Sequence, residues 1–232
     1  MTFDLFVDTS RKGISMALLE SGAADPRYFE SVDESARGET ASAMLDALLQ
    51  KALATLDQVT RVMVTLGPGS FSGLRTGVAF CEGLSFSGKR KLYGVSTLQA
   101  LACFADAPAN AAVVIRARKD YWYLRLANNE SFIETAQVVD ALKANPVKTV
   151  VVDEAALADE TLSAVFKEIG AATILDKGRP LSDWAKLFDS VTPSLMQEAN
   201  SSACALPYSS FPSKENETKG WFCPCPSKGE PK

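Results

Sequence analysis

The chain has no histidine. That absence removes the base most often paired with a serine or cysteine nucleophile, and also the commonest metal ligand. Cysteine is sparse: five in 232 residues, an odd number with no regular spacing. This argues against a disulfide framework and for reduced thiols. No apolar run approaches the roughly 20 residues of a membrane helix, and Met1-Thr2-Phe3-Asp4 lacks the basic start of a leader. A cytoplasmic location with no membrane partner is expected. A basic excess is missing as well. Lys and Arg number 24 against 28 Asp and Glu, for a net charge of −4, whereas a protein that grips nucleic acid alone normally carries a basic face. Two basic clusters, Lys89-Arg90-Lys91 and Arg116, Arg118, Lys119 near Arg125, read as solvated turns.

What is present is alternation and helical spacing in sequence. Phe3, Leu5 and Val7 alternate, as do Ile14, Met16 and Leu18, with a turn from Asp8 to Gly13 between them; this predicts a hairpin. Tyr28 to Val32 is a third strand. Met44, Leu45, Leu48, Leu49, Ala52 and Leu56 form one helical stripe, and Val62–Leu66 is a strand. A glycine-rich turn follows, Gly67-Pro68-Gly69-Ser70-Phe71-Ser72-Gly73-Leu74-Arg75-Thr76-Gly77, opening a helix that runs to about Phe86. Leu92–Val95 is a strand, and Ser96 with Gln99 is a capping box. The pattern then echoes: a second hairpin from Ala112–Ile115 and Tyr121–Leu126, a helix near Val138–Leu142, a strand Thr149–Val152, helical spacing from Leu162 to Ile169, a strand Thr173–Leu175, and a last helix Leu181–Phe188. Strands followed by helices and further strands, twice over, predict a duplicated α/β architecture.

The glycine turn invites three enzymatic readings, and spacing removes each. A phosphate loop needs a lysine after its second glycine, but Gly73 is followed by Leu74-Arg75. The dinucleotide fingerprint needs glycine at Ser72, one position early. A nucleophile elbow needs glycine two residues either side of a serine, and neither Ser70 nor Ser72 has both. Close approach is the better use of these glycines. Gly73, Gly77 and Cys81 fall four apart, so they line one helix face with small side chains. Such a face either packs on its own sheet or meets another protein.

The turn resembles the Gly-Pro-Gly-Ser-Phe-Thr-Gly-Leu-Arg-x-Gly signature of the TsaB family, which helps make threonylcarbamoyladenosine in tRNA. Phe6-Val7-Asp8-Thr9-Ser10 with Ile14–Leu18 is similar to the family's opening hairpin, Tyr93–Leu98 to its Gly-Val-Ser-Thr-Leu segment, and Ile115–Arg118 to its Ile-Asp-Ala-Arg strand end. The resemblance runs from Met1 to about Tyr208, strongest over the first hundred residues. It implies a two-lobed actin/Hsp70/sugar-kinase-like (ASKHA) fold: a first lobe over 1–107, a second over 108–208, and a Pro/Ser/Lys-rich tail over 209–232, expected to be disordered.

The resemblance also implies a role. TsaB is a non-catalytic subunit that binds and activates a larger paralogue, TsaD, which transfers a threonylcarbamoyl group to adenosine 37 of tRNA. The ATPase TsaE is a further expected partner, a homodimer is expected in TsaD's absence, and tRNA is met only through the complex. Pairing uses the two first-lobe helices, here about Glu39–Leu56 and Ser72–Phe86. Gly69, Gly73, Leu74, Arg75, Gly77, Val78, Cys81, Met44 and Leu48 are the partner-binding candidates on this reading. Asp8, Thr9 and Ser10 stand where active members of the fold hold phosphate and metal-bound water, and are read as a vestigial cofactor turn. No catalytic residue and no metal site is assigned. Arg116 replaces the family's second-lobe aspartate, Val151–Ala155 lacks adenosine-loop glycines, and Glu39 stands where histidine is common. Peptidase activity and a cofactor of the chain's own are not expected; a nucleotide at the partner interface is compatible. The alternative is a small-molecule kinase or ATPase of the same fold. Cys223-Pro224-Cys225 supplies too few ligands for a structural metal.

Overall fold

The computed structural model describes residues 1–87, 89–103, 111–127, 129–176 and 197–198. These divide into two compact units, one of 1–103 with Asp176 and 197–198, the other of 111–175. The expected helix Leu181–Phe188, the tail and its cysteines lie outside the described residues.

In the first unit β1 (Thr2–Asp8) and β2 (Ile14–Ser21) make the expected hairpin, and β3 (Tyr28–Asp33) extends it antiparallel. Then come α1 (Ala41–Ala52), β4 (Val59–Thr65), α2 (Phe71–Ser85), β5 (Lys91–Val95) and α3 (Thr97–Cys103). β4 lies parallel to β1, and β5 parallel to β4. The sheet order is therefore β5-β4-β1-β2-β3, with Gln197–Glu198 added antiparallel on the outer edge of β5. Those two residues, placed by sequence in the second lobe, belong to the first sheet. The crossovers β3-α1-β4 and β4-α2-β5 step in the same direction along the sheet. Right-handed connection then puts α1 and α2 on one face of it.

Helix α1 stops four residues earlier than its stripe suggests. Leu53 adopts a left-handed conformation at φ 52 and its N–H bonds back to Gln50 and Leu49 carbonyls, which ends the helix. Leu56 sits instead in a 3₁₀ turn, Leu56–Gln58. After β5, the Ser96 hydroxyl accepts from the N–H groups of Leu98 and Gln99 at 3.1 and 3.4 Å, one arm of the expected capping box.

The second unit repeats the first. β6 (Ala111–Arg118), β7 (Tyr121–Leu126) and β8 (Asn129–Glu134) form an antiparallel meander, followed by α4 (Thr135–Ala144), β9 (Thr149–Val152), α5 (Glu154–Ala158), α6 (Glu160–Glu168) and β10 (Ala172–Leu175). β9 is parallel to β6 and β10 to β9, giving the order β10-β9-β6-β7-β8. Element for element this is the topology of the first sheet, so the duplication inferred from pattern is real in the fold. Trp122, Val138, Leu142, Leu162 and Phe166 form its buried core, and Trp122 Nε1 donates to Thr135 Oγ1 at 2.9 Å.

A partly buried ion pair ties β4 to β1. Asp4 is 1% exposed and accepts from Arg61 through both carboxylate oxygens, Oδ1 at 2.7 Å from Nε, and the pairing raises the Arg61 pKa above its ordinary value. Removing the arginine strands a carboxylate between two strands. Arg61→Ala should lower unfolding free energy by about 2–3 kcal/mol, whereas Asp4→Asn with Arg61→Ala together should cost less than the single variant. Urea titration of the three proteins checks this.

Candidate functional site

The glycine turn is occupied from within its own unit. Ser70 N donates to Ser10 O at 2.7 Å, and Ser70 caps α2 by accepting from Gly73 N. A Cβ placed on Gly69 would stand 2.2 Å from Ser10 O, one on Gly73 2.2 Å from Thr9 O, and one on Gly77 2.1 Å from Thr9 Oγ1. Helix α2 thus lies with its small-residue face directly on the β1–β2 turn, and side chains at 69, 73 or 77 would push the two apart. Cys81, one step further along that face, is fully buried.

The nine partner-binding candidates differ in exposure. Leu48, Leu74, Val78 and Cys81 are all buried, at 1%, 8%, 4% and 0% exposed, as is Gly77. They form the inward stripes of α1 and α2, because an apolar stripe of 3.6 periodicity is drawn to the sheet. Gly69 and Gly73 touch the hairpin. Arg75 is exposed, its guanidinium 5.4 Å from the Phe71 ring centroid, and Met44 is half-buried. Of the nine candidates Gly69 and Arg75 are exposed, and Met44 and Gly73 are half-buried.

The outward positions are different residues. On α1 they are Ser42, Ala43, Asp46, Ala47 and Gln50; on α2, Phe71, Ser72, Arg75, Thr76, Ala79 and Gly83. A Cβ on Gly83 would meet nothing within 4 Å, so its own unit gives no steric reason for glycine in the last turn of α2. Phe86 and Leu53, at the C-terminal ends of the two helices, are 93% and 88% exposed. Arg90 holds those ends together, donating from Nη1 to Leu84 O at 3.0 Å and from Nη2 to Leu56 O at 2.8 Å. At the other end Gly38 lies against the Thr76 side chain. The signal for this surface was present in the sequence as the complement of the apolar stripe.

The cofactor turn is also committed. Asp8 is fully buried, and its Oδ1 accepts from Ser10 N at 2.9 Å, Ser10 Oγ at 2.6 Å and Thr65 Oγ1 at 2.8 Å. Thr9 is pinned beneath α2, and its Oγ1 has no hydrogen-bond partner among the described residues. In the second unit the carboxylate beside the end of β6 is Asp153, which follows β9; its Oδ1 accepts from Ala156 N and its Oδ2 from Arg116 N, at 2.8 and 2.7 Å. Each aspartate therefore orders a turn. Among the described residues no three acidic or thiol side chains converge as a metal site.

Beside the glycine turn lies a cavity of about 470 Å³ between the β1–β2 turn, residues 36–39 and the first turn of α2. Arg11, Lys12 and Arg37 line it against the single carboxylate of Glu39. Arg11 Nη2 is 2.7 Å from Asp176 Oδ2 but too poorly aligned for a hydrogen bond, so that contact is ionic only.

Two sheets of identical topology, each built on an antiparallel hairpin with parallel strands beside it, define a two-lobed protein of the actin/Hsp70/sugar-kinase type. The family model described as TsaD: tRNA N6-adenosine threonylcarbamoyltransferase matches residues 35–161, more than half of the chain. The tRNA threonylcarbamoyladenosine biosynthesis protein TsaB of Haemophilus influenzae is 31% identical over 98 residues, 42% of this chain and 41% of that protein. The TsaB of Buchnera aphidicola is 29% identical over 125 residues, 48% and 60%. Among solved structures, a Pseudomonas aeruginosa protein described as uncharacterized, with similarity to peptidase YeaZ, is 25% identical with a TM-score of 0.60 over 82% of this chain and 89% of that one. The chain belongs to the family that the matching family model describes, and the curated relatives it matches are TsaB proteins. The matched stretch spans about half the length of the curated relatives. No described helix is long and apolar enough to cross a membrane.

Proposed function

We propose that this chain is a non-catalytic subunit in the making of threonylcarbamoyladenosine in tRNA. In this reading it binds and activates a TsaD-type transferase through the outward faces of α1 and α2. The carrying observation is that surface itself: Ala43, Ala47, Ala79 and Gly83 permit a second backbone to come close, and Phe71, Phe86 and Leu53 offer apolar area at its rim. Without the transferase the same face would join two copies of this chain, an isologous contact. A TsaE-type ATPase and the tRNA are then met by the assembled complex, in the cytoplasm. We assign no cofactor to this chain alone and place any nucleotide at the partner interface. Peptidase activity is not part of this reading.

A kinase or ATPase of the same fold would need carboxylates free to order metal and water. Asp8 and Asp153 are both engaged in turns, so no observation favours that reading. Co-expression with a TsaD-type paralogue followed by sizing separates the two: a stable heteromer, and no tight ATP binding by the isolated chain, is the expected result. Absence of the heteromer together with tight ATP binding would reverse the choice.

A further inference from the structure

The tip of the β6–β7 hairpin carries residues that neither the core nor the docking face uses. Its sequence is Arg116-Ala117-Arg118-Lys119-Asp120-Tyr121, with Asp120 at φ 64. The strand register shifts between Arg116 and Arg118, so Ala117 is the extra residue of a bulge and the two arginines leave on opposite faces. Arg116 pairs with Trp122 on the core side, its guanidinium 5.6 Å from that ring. Arg118 pairs with Tyr121 on the other side, 4.2 Å from the ring centroid. Tyr121 stacks on Phe132 at 5.0 Å and 11°, and its hydroxyl donates to Glu134 Oε1 at 2.7 Å. The result is a cation held over a braced aromatic pair. Arg116, Arg118 and Lys119 are all exposed.

In a chain of net charge −4 this concentration of cations needs a reason. Among the described residues next to the tip in sequence or paired with it, the acids are Glu134, Asp153, Asp120 and Glu154. Glu134 holds the tyrosine hydroxyl, and both oxygens of Asp153 accept backbone N–H groups. Asp120 and Glu154 are exposed. An acidic peptide would use the charges but not the aromatic support. Single-stranded RNA uses both, because phosphates take cations and unpaired bases stack on arginine and aromatic planes. We propose that this tip contacts single-stranded RNA, with Arg116 and Lys119 on backbone phosphates and Arg118, steadied by Tyr121, beneath one unpaired base. The proposal extends the reading in which tRNA is met by the assembled complex to a direct contact by this chain, and it does not depend on the docking face.

Binding of the full-length chain to an unmodified tRNA transcript and to oligouridine, measured by fluorescence anisotropy across a salt series, tests it. The wild type should bind both. Arg116→Ala with Lys119→Ala should lower the salt slope by about 0.7 for each cation removed. Arg118→Lys keeps the charge but not the planar group, and should weaken binding about tenfold at little change in slope. Tyr121→Leu should do the same, while Tyr121→Phe keeps the ring and should bind as the wild type does. Thermal melts confirm that each variant is folded. Absence of RNA binding by the wild type, equal binding by all variants, or loss of a protein partner with RNA binding unchanged would overturn the proposal. Ala79→Glu, on the docking face, should leave RNA binding unmoved, so the two readings fail separately.

Discussion

Gly73→Ala should destabilise the first unit by about 3 kcal/mol while touching no surface a partner could reach. The new methyl would stand 2.2 Å from the carbonyl oxygen of Thr9, and that oxygen belongs to backbone that cannot rotate away. Either α2 lifts from the hairpin or the β1–β2 turn moves. Lifting α2 exposes Leu74 and Val78, each worth roughly 1.5–3 kcal/mol when buried. Moving the turn disturbs the Asp8 hydrogen bonds to Ser10 and Thr65. Gly77→Leu, which a docking groove along the glycines would tolerate in the isolated chain, should prevent folding outright. Its Cβ meets the short, branched side chain of Thr9 at 2.1 Å. Urea unfolding of the isolated proteins measures both. Wild-type stability for Gly73→Ala would mean that α2 does not rest on the hairpin as described.

The opposite face should behave in reverse. Gly83→Ala meets open space, and removing a glycine from the last turn of α2 should raise stability by up to about 1 kcal/mol. Ala47→Glu with Ala79→Glu places two charges at exposed helix positions, where surface substitutions normally change stability by no more than about 0.5 kcal/mol. The same pair should abolish association with a TsaD-type partner and with a second copy, because each carboxylate would be desolvated against a close-packed helix without a compensating cation. A large loss of pairing with unchanged melting is the expected signature.

Most of the architecture was legible as alternation and helical spacing. The hairpins, both parallel strands of each sheet and helices α1, α2, α4 and α6 all have strong periodicity. β8 escaped because Asn129-Glu130-Ser131-Phe132-Ile133-Glu134 carries only two apolar residues, and its place in the sheet comes from pairing with β7 rather than from its own pattern. α5 is five residues long and owes its start to the Asp153 cap, too short for a periodic stripe. The end of α1 turned on a left-handed leucine that no propensity announces. Most of the residues singled out on α1 and α2 are those that face the sheet. Gly73, Gly77 and Cys81 do mark a close approach, but spacing cannot say whether the approaching backbone belongs to the same chain. Here it is Thr9 and Ser10. The apolar stripe follows the same logic: Leu74 and Val78 are core because they are apolar at helical spacing, and the proposed docking face is what that stripe leaves outside.

Size-exclusion chromatography with light scattering of the Ala47→Glu, Ala79→Glu chain, co-expressed with a TsaD-type paralogue, tests the central claim most directly. The chain should elute folded and alone, with the heteromer lost, while wild type co-elutes with its partner. A heteromer that survives both substitutions would contradict the assignment of the α1 and α2 outer faces as the docking surface.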